Sequence, residues 1–114
     1  MRGSGVTAME QLLTLADPPT AVLASNDEMA FACLHVANDR GLAVPADLSV
    51  ISFDDTPGVR FSVPPLTAIR QPIAGMASMI CEKLIAAANS DQVAGCYNLP
   101  FEFIVRGTTA AAPS

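Results

Sequence analysis

The chain has 114 residues, 51% hydrophobic and 15% charged, with 11 acidic side chains against 6 basic ones and a formal net charge of −5. With a mean hydropathy of +0.40 it can bury one modest core, but its apolar runs are too short for a membrane-spanning helix, which needs about 20 apolar residues. The acidic balance would repel a phosphate backbone and the basic residues are scattered, so no nucleic-acid contact is expected of these residues.

Glu10 and Gln11 interrupt the apolar residues near the N-terminus, so no secretory signal is visible and the expected location is the cytoplasm. Val6, Met9, Leu12 and Leu13 recur at helical spacing over residues 5–15, and Asp17-Pro18-Pro19 stops the pattern. Residues 20–24, Thr-Ala-Val-Leu-Ala, form a short, nearly all-apolar run, the pattern of a parallel strand covered on both faces. Ser25 and Glu28 are spaced as a capping box, which predicts a helix over residues 26–40 ended by Gly41. Its core stripe is Met29, Ala32, Cys33 and Val36, while Phe31 and Leu34 lie on the opposite side and call for a covering partner.

Residues 48–53 read as a second strand, completing a βαβ unit with a right-handed crossover. The irregular stretch from Asp54 to Leu66, holding Pro57, Gly58, Pro64 and Pro65, is long enough to suspect of a function. A third strand covers residues 66–69. The helix over residues 72–88 opens on Pro72 and aligns Ile73, Met76, Ala77, Ile80, Leu84 and Ala87 opposite Gly75, Ser78 and Glu82. A last strand is expected over residues 99–105, and residues 108–114 read as a frayed tail. Cys33, Cys81 and Cys96 form no CxxC pair, and an odd count argues for buried free thiols.

Three polar clusters follow directly on strands: Ser25-Asn26-Asp27, Asp54-Asp55-Thr56 and Arg70-Gln71. Ligands of open parallel sheets bind beyond the carboxyl ends of the strands, where these clusters would converge. Their carboxylates and amides suit a polyhydroxylated or otherwise polar small molecule. On pattern alone that role stands level with plain helix-cap and turn roles. Catalysis is not expected, because His35 sits mid-helix, Lys83 lies far from the acidic pair, and no nucleophile stands beside a base. No cofactor is implied; a small Mg²⁺-dependent enzyme or phosphoacceptor using Asp54 and Asp55 is an alternative.

Residues 19–30 (Pro-Thr-Ala-Val-Leu-Ala-Ser-Asn-Asp-Glu-Met-Ala), Arg40-Gly41-Leu42 and residues 44–50 (Val-Pro-Ala-Asp-Leu-Ser-Val) resemble the lactose/galactose repressor family of transcription regulators. The likeness continues through Phe53-Asp54-Asp55-Thr56, Pro64-Pro65-Leu66-Thr67 and Ile69-Arg70-Gln71-Pro72 to residues 105–109, in family order over nearly the whole chain. The resemblance implies an α/β fold, a parallel-sheet βαβ subdomain of a periplasmic-binding-protein-like sensor, here incomplete. Residues 3–71 and 101–109 would form the C-terminal subdomain, and residues 72–100 a crossover segment that in the family packs on an N-terminal subdomain. It further implies effector contacts by Asn26, Asp54 and Gln71 and dimer contacts by Phe31, Leu34, Gly58 and Ser62. DNA binding would belong to a helix-turn-helix headpiece outside these residues. Ser52 stands where many family members have glycine. An exported sugar-binding protein of the same fold is the other alternative. With the apolar face of residues 72–88 unpartnered, the expected state is a homodimer or an oligomer that exchanges this helix, with weak or no effector binding by the chain alone.

Overall fold

The structure, a computed structural model, describes residues 2–89 and 95–113. In chain order the elements are α1 (Arg2–Leu13), β1 (Ala21–Leu23), α2 (Asp27–Asp39), β2 (Ser49–Asp54), a short 3-10 helix (Pro57–Phe61), β3 (Thr67–Arg70), α3 (Ile73–Ala88) and β4 (Glu102–Ile104). The described strands form one sheet in the order β1-β2-β3-β4. β1 runs parallel to β2, with Val22 opposite Val50, and β2 runs parallel to β3, with Asp54 opposite Arg70. The predicted βαβ unit is therefore present.

Two compact units share the chain: residues Met1–Arg70 with Phe103–Ser114, and Gln71–Glu102. In the first unit α1 packs along α2, and α2 covers β2. Helices whose contact faces carry small residues can approach closely. Here a Cβ on Gly5 would stand 3.0 Å from the Cβ of Ala32 and 3.3 Å from the Cα of Met29, so a larger residue at that crossing would require the two helices to part by a few tenths of an ångström. The core gathers Met9, Ala30, Cys33, Val36, Ala37, Leu48, Val50, Val59 and Leu66. Ala30 and Ala37 join the expected stripe of α2, whereas Met29 is only half-buried.

Several details depart from the sequence expectations. The cap of α2 is Asn26, whose Oδ1 accepts the Met29 N–H at 2.9 Å, one residue beyond the predicted cap. Ser25 Oγ turns to the Met29 sulfur instead. Both residue types suit a cap, and the sequence offers them side by side. β1 is not covered on both faces: it is an edge strand, and Leu23 is 62% exposed. Of the thiols, Cys33 is buried and its pKa is raised by burial, but Cys81 and Cys96 are exposed. The last strand is shorter than predicted and Pro72 caps α3 rather than lying inside it.

The largest correction concerns the expected tail. Thr108 is fully buried. Its carbonyl accepts the Val50 N–H at 2.9 Å, and its hydroxyl donates to Val50 O at 2.6 Å while accepting the Thr67 N–H at 2.9 Å. Thr109 Oγ1 lies 3.0 Å from Thr67 Oγ1, and the Ala110 N–H donates to Ser49 Oγ at 3.2 Å. Backbone groups of β2 and β3 that would be orphaned inside the unit are thereby satisfied.

The second unit contains α3 and the segment after it. Leu99 packs beside Gly75, and the Lys83 ammonium sits 4.6 Å from the centroid of the Tyr97 ring. None of the described residues of α3 is buried. Ile73, Ile80, Leu84 and Ile85 are all more than half exposed. A groove of about 400 Å³ runs along Met76, Ile80, Lys83, Leu84, Tyr97 and Leu99.

Candidate functional site

Parallel pairing puts the carboxyl ends of β1, β2 and β3 on one edge of the sheet. Asn26 stands just past β1 and Asp54 is the last residue of β2. Both are half-buried. The Asn26 carbonyl oxygen is engaged by the helix cap, so its amide NH2 is the group available to donate to a ligand. Gln71 follows β3 directly and is the first residue of the second unit.

Asp27, between these positions, has a structural task. Its side chain is buried and accepts from Ser52 Oγ, from the Thr56 N–H at 2.6 Å and from Thr56 Oγ1. It thus ties the start of α2 to β2 and to the loop beyond. Ser52 supplies one of those donors.

Asp54 and Asp55 both have positive φ, 153° and 66°. Such backbone costs on the order of 1–3 kcal/mol for a non-glycine residue and persists where its surroundings hold it. The holding contacts belong to Asp55, whose side chain is 1% exposed. Arg70 Nε donates to its Oδ2 at 2.7 Å, and Arg106 Nη2 lies 2.7 Å from its Oδ1. The Arg106 contact is close but poorly aligned, so its attraction is mainly that of charge. Arg106 is itself fixed by Nη1 donating to Leu66 O at 2.7 Å and by its N–H donating to Thr67 Oγ1 at 2.9 Å. Burial pushes the Asp55 carboxyl up, but the Arg70 hydrogen bond and the contact and charge of Arg106 outweigh it and hold the pKa below the ordinary carboxylate value.

The adjacent aspartates therefore differ in kind. Asp55 is engaged by two guanidinium groups inside the unit, which argues against a two-carboxylate Mg²⁺ site, while Asp54 ends β2 at the rim. Among the described residues no group of three or more His, Cys, Asp or Glu is placed to hold a metal. No described helix is long and apolar enough to cross a membrane.

A second surface surrounds Phe31 and Leu34, which are half-buried against the core. The Phe31 ring reaches to 3.9 Å from where a Cβ on Gly58 would stand, and Gly58 lies on the 3-10 helix. Ser62 Oγ is 3.0 Å from Val59 O and 2.8 Å from Pro64 O, which fixes the turn after that helix. On either side of Ser62, Phe61 is 82% and Val63 95% exposed. Sequence reasoning missed these two residues. Two bulky apolar side chains next to a proline pair in an irregular stretch were the available signal. Val63 also lines a groove with Leu34, Asn38, Leu42 and Val44.

Residues 1–109 match the profile of the periplasmic binding protein-like domain, and the chain belongs to that family. It is 40% identical over 111 residues to the HTH-type transcriptional repressor CytR of Escherichia coli, covering 96% of this chain and 33% of CytR. The structure of a LacI family transcriptional regulator from Bifidobacterium animalis superposes with a TM-score of 0.90 at 33% identity, over 98% of this chain and 41% of that one. The dimeric lac repressor with a C-terminal deletion gives 0.86 at 34% identity, over 99% of this chain and 41% of that one. The resemblance to the lactose/galactose repressors thus holds in sequence and in fold. The chain spans about a third of the length of the curated relatives it matches.

Proposed function

We propose that this chain is part of the effector sensor of a cytoplasmic transcription regulator, working by ligand-shifted conformation rather than by catalysis. Asn26, Asp54 and Gln71 contact a polar small molecule, a sugar or related metabolite, from the carboxyl edge of the sheet. The amides donate and accept, and the Asp54 carboxylate accepts hydroxyl hydrogen bonds. The observation that carries this reading is the parallel register, which places Asn26, just past β1, and Asp54, the last residue of β2, at the same carboxyl edge of the sheet. Phe31, Leu34, Gly58 and Ser62, with Phe61 and Val63 beside them, form the contact between two copies, a reading supported by the dimeric state of the lac repressor named above. DNA binding belongs to a helix-turn-helix outside these residues, and effector binding changes DNA affinity by favouring one arrangement of the sensor.

The test is calorimetric titration of the regulator that contains this sequence with a panel of pentoses, hexoses and nucleosides. Asp54→Ala is expected to lower affinity for the ligand that binds by roughly 10- to 100-fold, the worth of a hydrogen bond to a charged group. Unchanged affinity in Asp54→Ala, Asn26→Ala and Gln71→Ala together overturns the site.

A further inference from the structure

The chain leaves the first unit after Arg70 and re-enters it at Phe103. Two connectors therefore join the units, and each has an arginine in the first unit close to the passage: Arg70 is the last residue of β3, and Arg106 follows β4. Both guanidinium groups meet on the single carboxylate of Asp55, at 2.7 Å each. We infer that Asp55 is a positioning residue that fastens the two connectors to each other and to the end of β2, so that they move as one piece.

Three observations carry this. The Asp55 side chain is shut away from water, with 1% exposure, and Arg106 is nearly so, which leaves that attraction little screened, while the more exposed Arg70 adds a directed hydrogen bond. The backbone at Asp54 and Asp55 takes the uncommon positive φ that turns the second carboxylate towards the arginines. Arg106 is braced independently at the start of β3 through Leu66 O, just before the strand, and Thr67 Oγ1, so a pull on one connector is passed to the other. Asp54 precedes the clamp by one peptide bond, and a ligand held there would bear on both connectors at once. That last consequence rests on the effector reading of Asp54; the clamp does not.

Hydrogen exchange of the full chain, followed amide by amide without ligand, tests the clamp separately from effector binding. In Asp55→Asn, the amides of Ile69, Arg70, Ile104, Val105 and Arg106 are expected to exchange at least tenfold faster, while those of Val36, Ala37 and Val50 keep their rates. Arg106→Gln is expected to give the same pattern, and it decides the matter if Asp55→Asn does not fold. Unchanged connector amides overturn the inference. So does equal acceleration everywhere, which would make Asp55 a support of the whole unit rather than of its connectors.

Discussion

α2 and α3 both carry apolar stripes, yet six residues of α2 are buried while none of the described residues of α3 is. The difference lies in what stands opposite. α2 has α1 along one side and β2 beneath it, whereas α3 is seen beside the segment around Tyr97 and Leu99 among the described residues of its own unit. An apolar stripe records that a helix is meant to be covered; the covering itself is a property of the next layer.

The most forceful way to break this contrast is to ask whether α3 finds a cover. Each large side chain left in water forgoes about 1.5–3 kcal/mol of burial, so the chain is expected to self-associate, with light scattering giving a mass above the monomer. Leu84→Glu combined with Ile80→Glu should reduce it to no more than the dimer held through Phe31 and Leu34, with the first unit intact. A monodisperse monomer at all concentrations would show that the exposed face of α3 is tolerated. Next in size, Leu66→Ala should destabilise the first unit by about 2–5 kcal/mol, as expected for a fully buried leucine. Leu84→Ala, measured in the dilute monomer, should change stability by no more than about 0.5 kcal/mol. Denaturant titration of both variants sharpens the comparison in one experiment.

A smaller effect is expected at the buried carboxylate of α2. Ser52→Ala removes a donor to Asp27 and should cost about 1–3 kcal/mol. A neutral result by chemical denaturation would show that Thr56 alone satisfies Asp27. The smallest expected effect is a pH dependence. Asp55 has a folded-state pKa below its unfolded value, so its contribution is complete above the unfolded value and is lost as pH falls through the folded one. Stability should therefore fall below about pH 4 more steeply in the native chain than in Asp55→Asn, as read by thermal unfolding in a pH series.

The sequence carried the order and type of the elements well, because each has a strong local signal: helical spacing in α1, α2 and α3, a cap at the start of α2, and short apolar runs for β1 to β3. It also pointed to three polar clusters after strands. What it could not carry were pairings between distant residues. Nothing local marks Asp55 as the partner of Arg106, or Thr108 as a donor to Val50, because charge and hydroxyl groups carry no periodicity. The exposure of Leu23 was illegible for the same reason as that of α3: an all-apolar strand does not say which of its faces has a neighbour.

The stitching of Thr108 into β2 and β3 bears on how the molecule comes to be folded. The hydroxyl of Thr108 reaches back 58 positions to Val50, and Ala110 reaches 61 positions to Ser49. Pairings so distant in the chain are slow to form, since the intervening polypeptide must first be brought round. During synthesis, β2 and β3 are made long before the residues that complete them. The first unit is thus expected to wait, half sealed, while the whole of the second is translated, and to close only when its final stitch emerges.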